Sequence, residues 1–319
     1  MEIKMKKSIL EKSWMVFIVA ILCTALWGGA FPGIKIGYQV FHISSQATGS
    51  QIMFAGIRFF LAGCLAWVIG SISFRKPLVP KKGSFPYILI LAILQTYLQY
   101  FFFYVGLAHT TGVKASIIEA MNVFVALLIA ALLFRQEQLT GKKIIGCIIG
   151  FVGVVLVNLS GSGVAFDFTI AGEGAIFLST VAYAFSSVCI KRFSKYEEPF
   201  VLSAYQFMLG GVLLFLTGLI WNINAGVKEE EMLVMAKTLF TSSGMGIVML
   251  LAGISAVAYS LWGQLLKYNE VSKVTIFGFL TPVFGVVFSA IFLAEQTASS
   301  PIVVIISLAL VSFGIILQD

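Results

Sequence analysis

Charge is scarce in this chain. Lys, Arg, Asp and Glu together make up 11% of 319 residues, against about a quarter in soluble domains. Only 14 residues are acidic and two are histidine. His42 and His109 stand alone, with no His, Cys or Asp cluster at metal-ligand spacing, so no metal site is expected. The four cysteines, Cys23, Cys64, Cys147 and Cys189, fall in apolar sequence and form no C-x-x-C pair. They read as small packing residues. No G-x-S-x-G, Walker or dinucleotide-binding pattern occurs, so no cofactor is expected.

What is present is apolar length. Ten stretches fill almost the whole chain, at about 14–36, 50–72, 85–108, 114–134, 142–159, 171–191, 199–221, 243–266, 273–294 and 300–317. A helix rises 1.5 Å per residue, so about 20 apolar residues cross a hydrocarbon core of about 30 Å. Backbone groups in lipid must bond within their own segment, which makes these stretches helices. The expected fold class is an all-α integral membrane protein with ten transmembrane helices. A basic stretch precedes the first apolar run, as in a signal peptide. That run continues through Trp27 towards Ile36 and is read as a retained span.

The net charge of +7 raises the question of nucleic acid, and its placement answers it. With the N-terminus cytoplasmic, 16 of the 21 Lys and Arg residues lie in the tail and the even-numbered loops, and four lie on the other side. That bias orients the chain by the positive-inside rule and needs no polyanionic partner. The expected location is the cytoplasmic membrane of the cell, multi-pass, with both termini cytoplasmic.

The second half repeats the first. Lys114-Ala-Ser matches Lys273-Val-Thr at an offset of 159, and Tyr100 falls on Tyr259 at the same offset. Thr24-Ala-Leu-Trp27 meets Thr180-Val-Ala-Tyr183 at 156, and Gly63 corresponds to Gly211. A unit of five spans is odd, so the second copy enters the membrane from the opposite side. Two inverted five-helix repeats are a recurrent construction of secondary transporters, with the substrate near the midplane between them. The expected division is a tail at 1–13, a first repeat at 14–160 and a second at 161–319.

Few polar side chains lie deep in the spans. Ser116, Glu119 and Asn122 are three apart and form one stripe on span 4. Its repeat counterpart on span 9 is Thr275, Gly278 and Thr281, so one stripe carries a carboxylate and the other does not. A charge at the bilayer centre costs roughly 2.5–3.5 kcal/mol and marks a pathway or finds a partner. Glu119 reads as a substrate-amine or proton-coupling carboxylate. Its competing role is an ion pair with Arg58 or Lys114. Gln99 and Tyr100 on span 3, Tyr259 on span 8, and the repeat-equivalent Trp27 and Tyr183 suit a cavity for amphipathic solutes. Pro32 and Pro282 are expected to break their helices locally.

Several motifs, in their order, resemble one family. Trp27-Gly28, Arg58-Phe59, Gly106-Leu107, Ala115-Ser116 and the run Leu133 to Thr140 are similar to the first half of an EamA-type member of the drug/metabolite transporter superfamily. Pro282-Val283-Phe284 and Phe292-Leu293-Ala294-Glu295 resemble the second half, and Gly146, Gly150, Gly153 and Gly314 fit its fifth and tenth spans. Asn122 stands where the family often has proline, Tyr183-Ala184 replaces a second W-G, and Gln206 is paired with Arg58. The resemblance implies a secondary carrier, often a metabolite exporter, with a cavity lined by spans 1, 3, 4, 6, 8 and 9. It also implies that Arg58 sits away from that cavity, as a structural charge tying helix ends.

The expected function is alternating-access transport of a small polar or amphipathic metabolite, an amino-acid-like solute being one candidate. Protons are a candidate coupling partner, and the bilayer and a small-molecule substrate are the only other partners expected. Two alternatives are a membrane-embedded enzyme acting on lipid-like substrates, and a non-transporting scaffold or sensor. The enzyme would need a His, Asp or Cys cluster at one membrane face. The scaffold would not call for matched polar stripes.

Overall fold

A computed structural model describes residues 9–159, 168–293 and 301–318. Among these residues the chain is helical throughout, with no strand. Nine helices are long and apolar enough to cross a membrane. In chain order, spans 1 to 9 are Ser13–Val40, Thr48–Ser73, Phe85–Leu107, Lys114–Leu133, Gly141–Asn158, Ile170–Phe193, Pro199–Asn224, Ser242–Tyr268 and Val271–Leu293. The tenth expected stretch appears as a shorter apolar helix, Ile302–Leu317. The expected division at 160/161 falls outside the described residues, as does Glu295.

Local chemistry sets the ends of the spans. Thr111, Thr169 and Thr241 each accept a hydrogen bond from the backbone N–H three residues on, capping spans 4, 6 and 8. Pro199 sits in the first turn of span 7, where its missing N–H leaves no bond unmade. After span 7 the chain turns at Gly226, with φ of 72° in the left-handed region that glycine enters freely. The acidic run Glu229-Glu230-Glu231 opens a short helix, Glu229–Leu239, in the loop between spans 7 and 8. Three carboxylates there suit the positive end of the helix dipole.

Spans 2 and 7 pack backbone to backbone. A Cβ on Gly56 would lie 2.8 Å from the carbonyl oxygen of Gly211, and a Cβ on Gly211 would lie 2.8 Å from that of Gly56. Span 5 meets the helix Ile302–Leu317 in the same way, with Gly314 against the Gly146 carbonyl at 2.6 Å. Small residues let helices in lipid approach this closely, so packing replaces the missing hydrophobic drive. The remaining pairings follow a pattern. Span 1 packs on spans 8 and 9, and span 6 packs on spans 3 and 4.

Interruptions fall in four spans. Span 3 holds a wide π-helical turn at Ala92–Leu98, and span 6 begins with one at Ile170–Gly174. Span 4 breaks at Met121, where the amide bonds back only three residues to Ile118. The Asn122 side chain donates to the Glu119 carbonyl at 2.7 Å, taking up an oxygen the break leaves free. Span 9 tightens to a 3-10 stretch at Ile276–Phe279, just ahead of Pro282, whose ring crowds the carbonyl four residues back. The expected break at Pro32 is absent, and span 1 runs unbroken from Ser13 to Val40.

Even-numbered loops gather at one end of the bundle. There Asn269 donates to the Leu10 carbonyl at 2.9 Å, and the Lys81 amide donates to Glu197 at 2.7 Å. Odd-numbered loops gather at the other, where Asn222 donates to Ser50 at 3.1 Å and Lys114 pairs with Glu173 at 3.2 Å.

The glycine contact generates a stability prediction. Gly56→Ala or Gly211→Ala should push spans 2 and 7 apart and cost about 1–3 kcal/mol. Gly253→Ala serves as the control, because nothing lies within 4 Å of its added Cβ. Thermal unfolding of the detergent-purified protein should show lower midpoints for the first two variants only. Equal midpoints for all three would mean that spans 2 and 7 do not meet at their backbones.

Candidate functional site

A central cavity lies between the spans, with walls from spans 1, 2, 3, 4, 6, 8 and 9. Its volume is about 140 Å³. One water takes up roughly 10–15 Å³ on that measure, so the space suits about ten heavy atoms. It is lined by Trp27, Gln99, Tyr100, Ser116, Glu119, Asn122, Tyr183, Tyr259 and Thr281, nine of the ten residues expected there. Thr275 is the exception. It is 1% exposed, off the cavity wall, and its hydroxyl has no hydrogen-bond partner.

Aromatic side chains hold the centre together. The Tyr100 and Tyr259 hydroxyls share a hydrogen bond of 2.7 Å across 159 residues of sequence, the offset of the repeat. The Trp27 ring meets Tyr259 at 5.0 Å, Trp262 at 4.9 Å and Tyr183 at 6.5 Å, all edge-on. Edge-to-face contact sets the positive edge of one ring against the negative face of the next.

The two polar stripes approach at one end. A Cβ on Gly278 would sit 3.8 Å from the Asn122 Oδ1, so the smallness of Gly278 leaves space beside the Ser116–Glu119–Asn122 face. Lys114 is not the partner of Glu119. It pairs with Glu173, which also accepts from Thr110 at 2.6 Å and from the Thr169 amide at 2.9 Å. Among the described residues, no side chain donates a hydrogen bond to the Glu119 carboxyl or lies in ion-pair range of it.

Arg58 was expected away from the cavity and instead reaches its wall. Its guanidinium stacks on the rings of Phe59 at 4.4 Å and Tyr100 at 5.7 Å. Its repeat position, Gln206, turns elsewhere and donates to the Gln95 side chain at 2.5 Å. The sequence reading also passed over Ser179 and Thr180, which line the cavity from span 6. Ser179 lies one helical turn from Tyr183, and Thr180 is the repeat partner of Thr24, so both signals were present in the sequence. Thr180 donates to the Ile118 carbonyl at 3.3 Å and so joins span 6 to span 4 beside Glu119.

The end of the bundle that gathers the even-numbered loops is tied by charge. Lys143 bonds Glu137 and Glu270, each at 2.7 Å, and Glu137 accepts from the Ser272 amide at 3.1 Å and from its hydroxyl. Lys267 bonds Glu198 at 2.8 Å, and Lys191 donates to the Asn269 carbonyl. Spans 5 to 9 and the loop after span 4 are thereby joined where the cavity does not reach.

Comparison with known proteins agrees with this architecture. A solved crystal structure superposes with a TM-score of 0.66 at 15% identity, over 95% of this chain and 96% of that one, a likeness of fold. The uncharacterized transporter YvbV of Bacillus subtilis is 25% identical over 293 residues, covering 91% of this chain and 88% of the relative. A probable amino-acid metabolite efflux pump of Escherichia coli is 25% identical over 289 residues, covering 88% and 87%. The pattern of the EamA-like transporter family matches twice, at residues 14–159 and again at 170–317. Matched across nearly its whole length, this multi-pass membrane protein belongs to the EamA-like transporter family.

Proposed function

We propose that the protein is a secondary transporter of ten helices in two inverted five-helix halves, exporting a small polar or amphipathic metabolite across the cytoplasmic membrane by alternating access. The observation that carries this reading is a carboxyl group without a protein partner in a cavity walled by both halves. An intramembrane acid left unpaired is costly unless substrate or proton satisfies it.

The inverted arrangement draws support from the packing. Exchanging the halves turns span 1 on spans 8 and 9 into span 6 on spans 3 and 4, and leaves spans 2 and 7 facing each other. Those are the pairings observed. The hydrogen bond between repeat-equivalent tyrosines supports an axis passing near it.

Direction and energy follow from charge. The end tied by Lys143, Glu137 and Glu270 carries the excess of Lys and Arg and is assigned to the cytoplasm. A cavity shut at that end faces outward. To load from the cytoplasm, the protein must break this ion network and close elsewhere. Lys114–Glu173 joins spans 4 and 6 at the other end and is already made in this outward-facing form, so the closure of that side needs further contacts. A carboxyl alternately open to each side takes up a proton on one and releases it on the other. Glu119 fills that role here, with the substrate amine as its competing partner. An amino-acid-like substrate fits the size of the cavity, its aromatic walls and its acid. The E. coli relative's printed name points the same way.

Topology tests the frame of this reading. Single cysteines at positions 80 and 230, in a background without native cysteine, should label with an impermeant thiol reagent from opposite sides, position 230 from outside. Labelling of both from one side would overturn the inverted halves.

The mechanism is tested at the acid. Glu119→Gln should fold, as judged by chromatography and thermal unfolding, and still exchange substrate weakly in reconstituted vesicles. It should lose accumulation against a gradient, and its residual exchange should no longer depend on pH. Parental, pH-dependent accumulation of an amino-acid mixture by well-folded Glu119→Gln would remove Glu119 from coupling.

A further inference from the structure

Within the transport reading above, on which this inference rests, the cavity carries a second charge that the mechanism has not used. We infer that Arg58 forms an anion subsite, so that the solute is a zwitterion whose carboxylate is held by Arg58 and whose amine is held by Glu119.

The first argument is an unpaired cation. Arg58 is 2% exposed, yet no described acid lies in ion-pair range of it, and its Nε is buried with no hydrogen-bond partner. A buried guanidinium normally has a carboxylate, since taking it out of water without one is costly. Glu119 shares the cavity but is not within that range. Two opposite charges that line one space without neutralising each other are the complement of a molecule carrying both.

Orientation is the second argument. Phe59 and Tyr100 lie together on one side of the guanidinium, their ring centroids 4.4 and 5.7 Å from it and 4.3 Å from each other. Aromatic contact on that side engages none of the N–H groups, and the N–H edge of the fork matches the two oxygens of a carboxylate.

The third argument counts donors. The Trp27 Nε1, Trp262 Nε1 and Ser179 Oγ are buried without a partner, and all three residues line the cavity with Arg58. Indole N–H groups only donate. An unpartnered acceptor lining the cavity is the Gln99 Oε1, which with Glu119 suits an ammonium. The cavity thus offers unpartnered donors besides Arg58, and an acid besides Gln99.

Binding to the full-length protein in nanodiscs tests this, followed by the fluorescence of Trp27 and Trp262, which line the cavity. Three series are titrated: the twenty amino acids, their carboxamides, and the matching acids lacking the amine. The best-binding amino acids should bind roughly ten- to a hundred-fold tighter than their amides, the span of one to two charge-assisted hydrogen bonds. Arg58→Gln should bring acid and amide to parity, and Arg58→Lys should keep part of the difference. Glu119→Gln should leave the acid-to-amide ratio intact and erase the preference over the amine-free acid. A structural role for Arg58 would lower folded yield without moving that ratio. Equal binding of acid and amide by the parent, or an unchanged ratio in Arg58→Gln, would overturn the subsite. If Arg58→Gln fails to fold, the parental ratio and Arg58→Lys decide in the same way. Amine-free acids binding as well as amino acids would overturn the zwitterion in favour of a plain anion. Transport of amides with no Arg58 dependence would overturn this inference and spare the transporter. A parent that neither binds nor transports any of the three series would overturn both.

Discussion

Everything in this molecule answers to one constraint. Inside a bilayer the backbone has no water to bond with, so every N–H and C=O must be satisfied by protein. Long unbroken helices are the simplest answer, and spans 1, 2, 7 and 8 give it. The exceptions are informative because each needs compensation. The π turns of spans 3 and 6, the break at Met121 and the tightened stretch before Pro282 all occur in spans that wall the cavity. Irregular backbone is tolerated at membrane depth where protein or a water-filled space covers it. The cavity is therefore both the reason the helices break and the place where breaking them is affordable. Asn122 shows the local repair, one side-chain amide standing in for a lost backbone donor.

Much of this was legible in the sequence, for physical reasons. Hydropathy fixes which residues meet lipid, so the spans emerge with nearly their observed bounds. The repeat at an offset of 159 named Tyr100 and Tyr259 as equivalent, and they touch. What could not be read was rotation about each helix axis. Thr275 lies on the expected stripe, but span 9 tightens immediately after it and turns its side chain into the protein. Arg58 fails in the opposite sense. Nothing along span 2 alone says that stacking on Tyr100 of span 3 will bring its guanidinium to the cavity. The partner of Lys114 was equally hidden, because Glu173 lies 59 residues away and meets it only when span 6 packs on span 4.

Charge is used sparingly and in two ways. At the bundle ends acids and bases are paired, and pairing locks helices to one another. Glu137 holds a lysine, a serine hydroxyl and the Ser272 amide of span 9 at once. In the interior Arg58 and Glu119 stay apart. The Lys143–Glu137 pair is almost wholly buried, so removing either partner would leave an uncompensated charge. The glycine contacts between spans 2 and 7 use no charge and rest on close backbone approach alone.

The bond between Tyr100 and Tyr259 has a property that neither residue has alone. Two identical hydroxyls cannot share one hydrogen evenly. One donates, and the other keeps its own hydrogen to offer elsewhere. Which is which can be exchanged by turning two O–H groups about their C–O bonds, with no heavy atom moving. At the junction of two repeated halves, this gives the centre of the molecule a polarity that is real at any instant and reversible at almost no cost. Where two matched halves meet, a pair of identical phenols is a simple way to make an element that favours neither half.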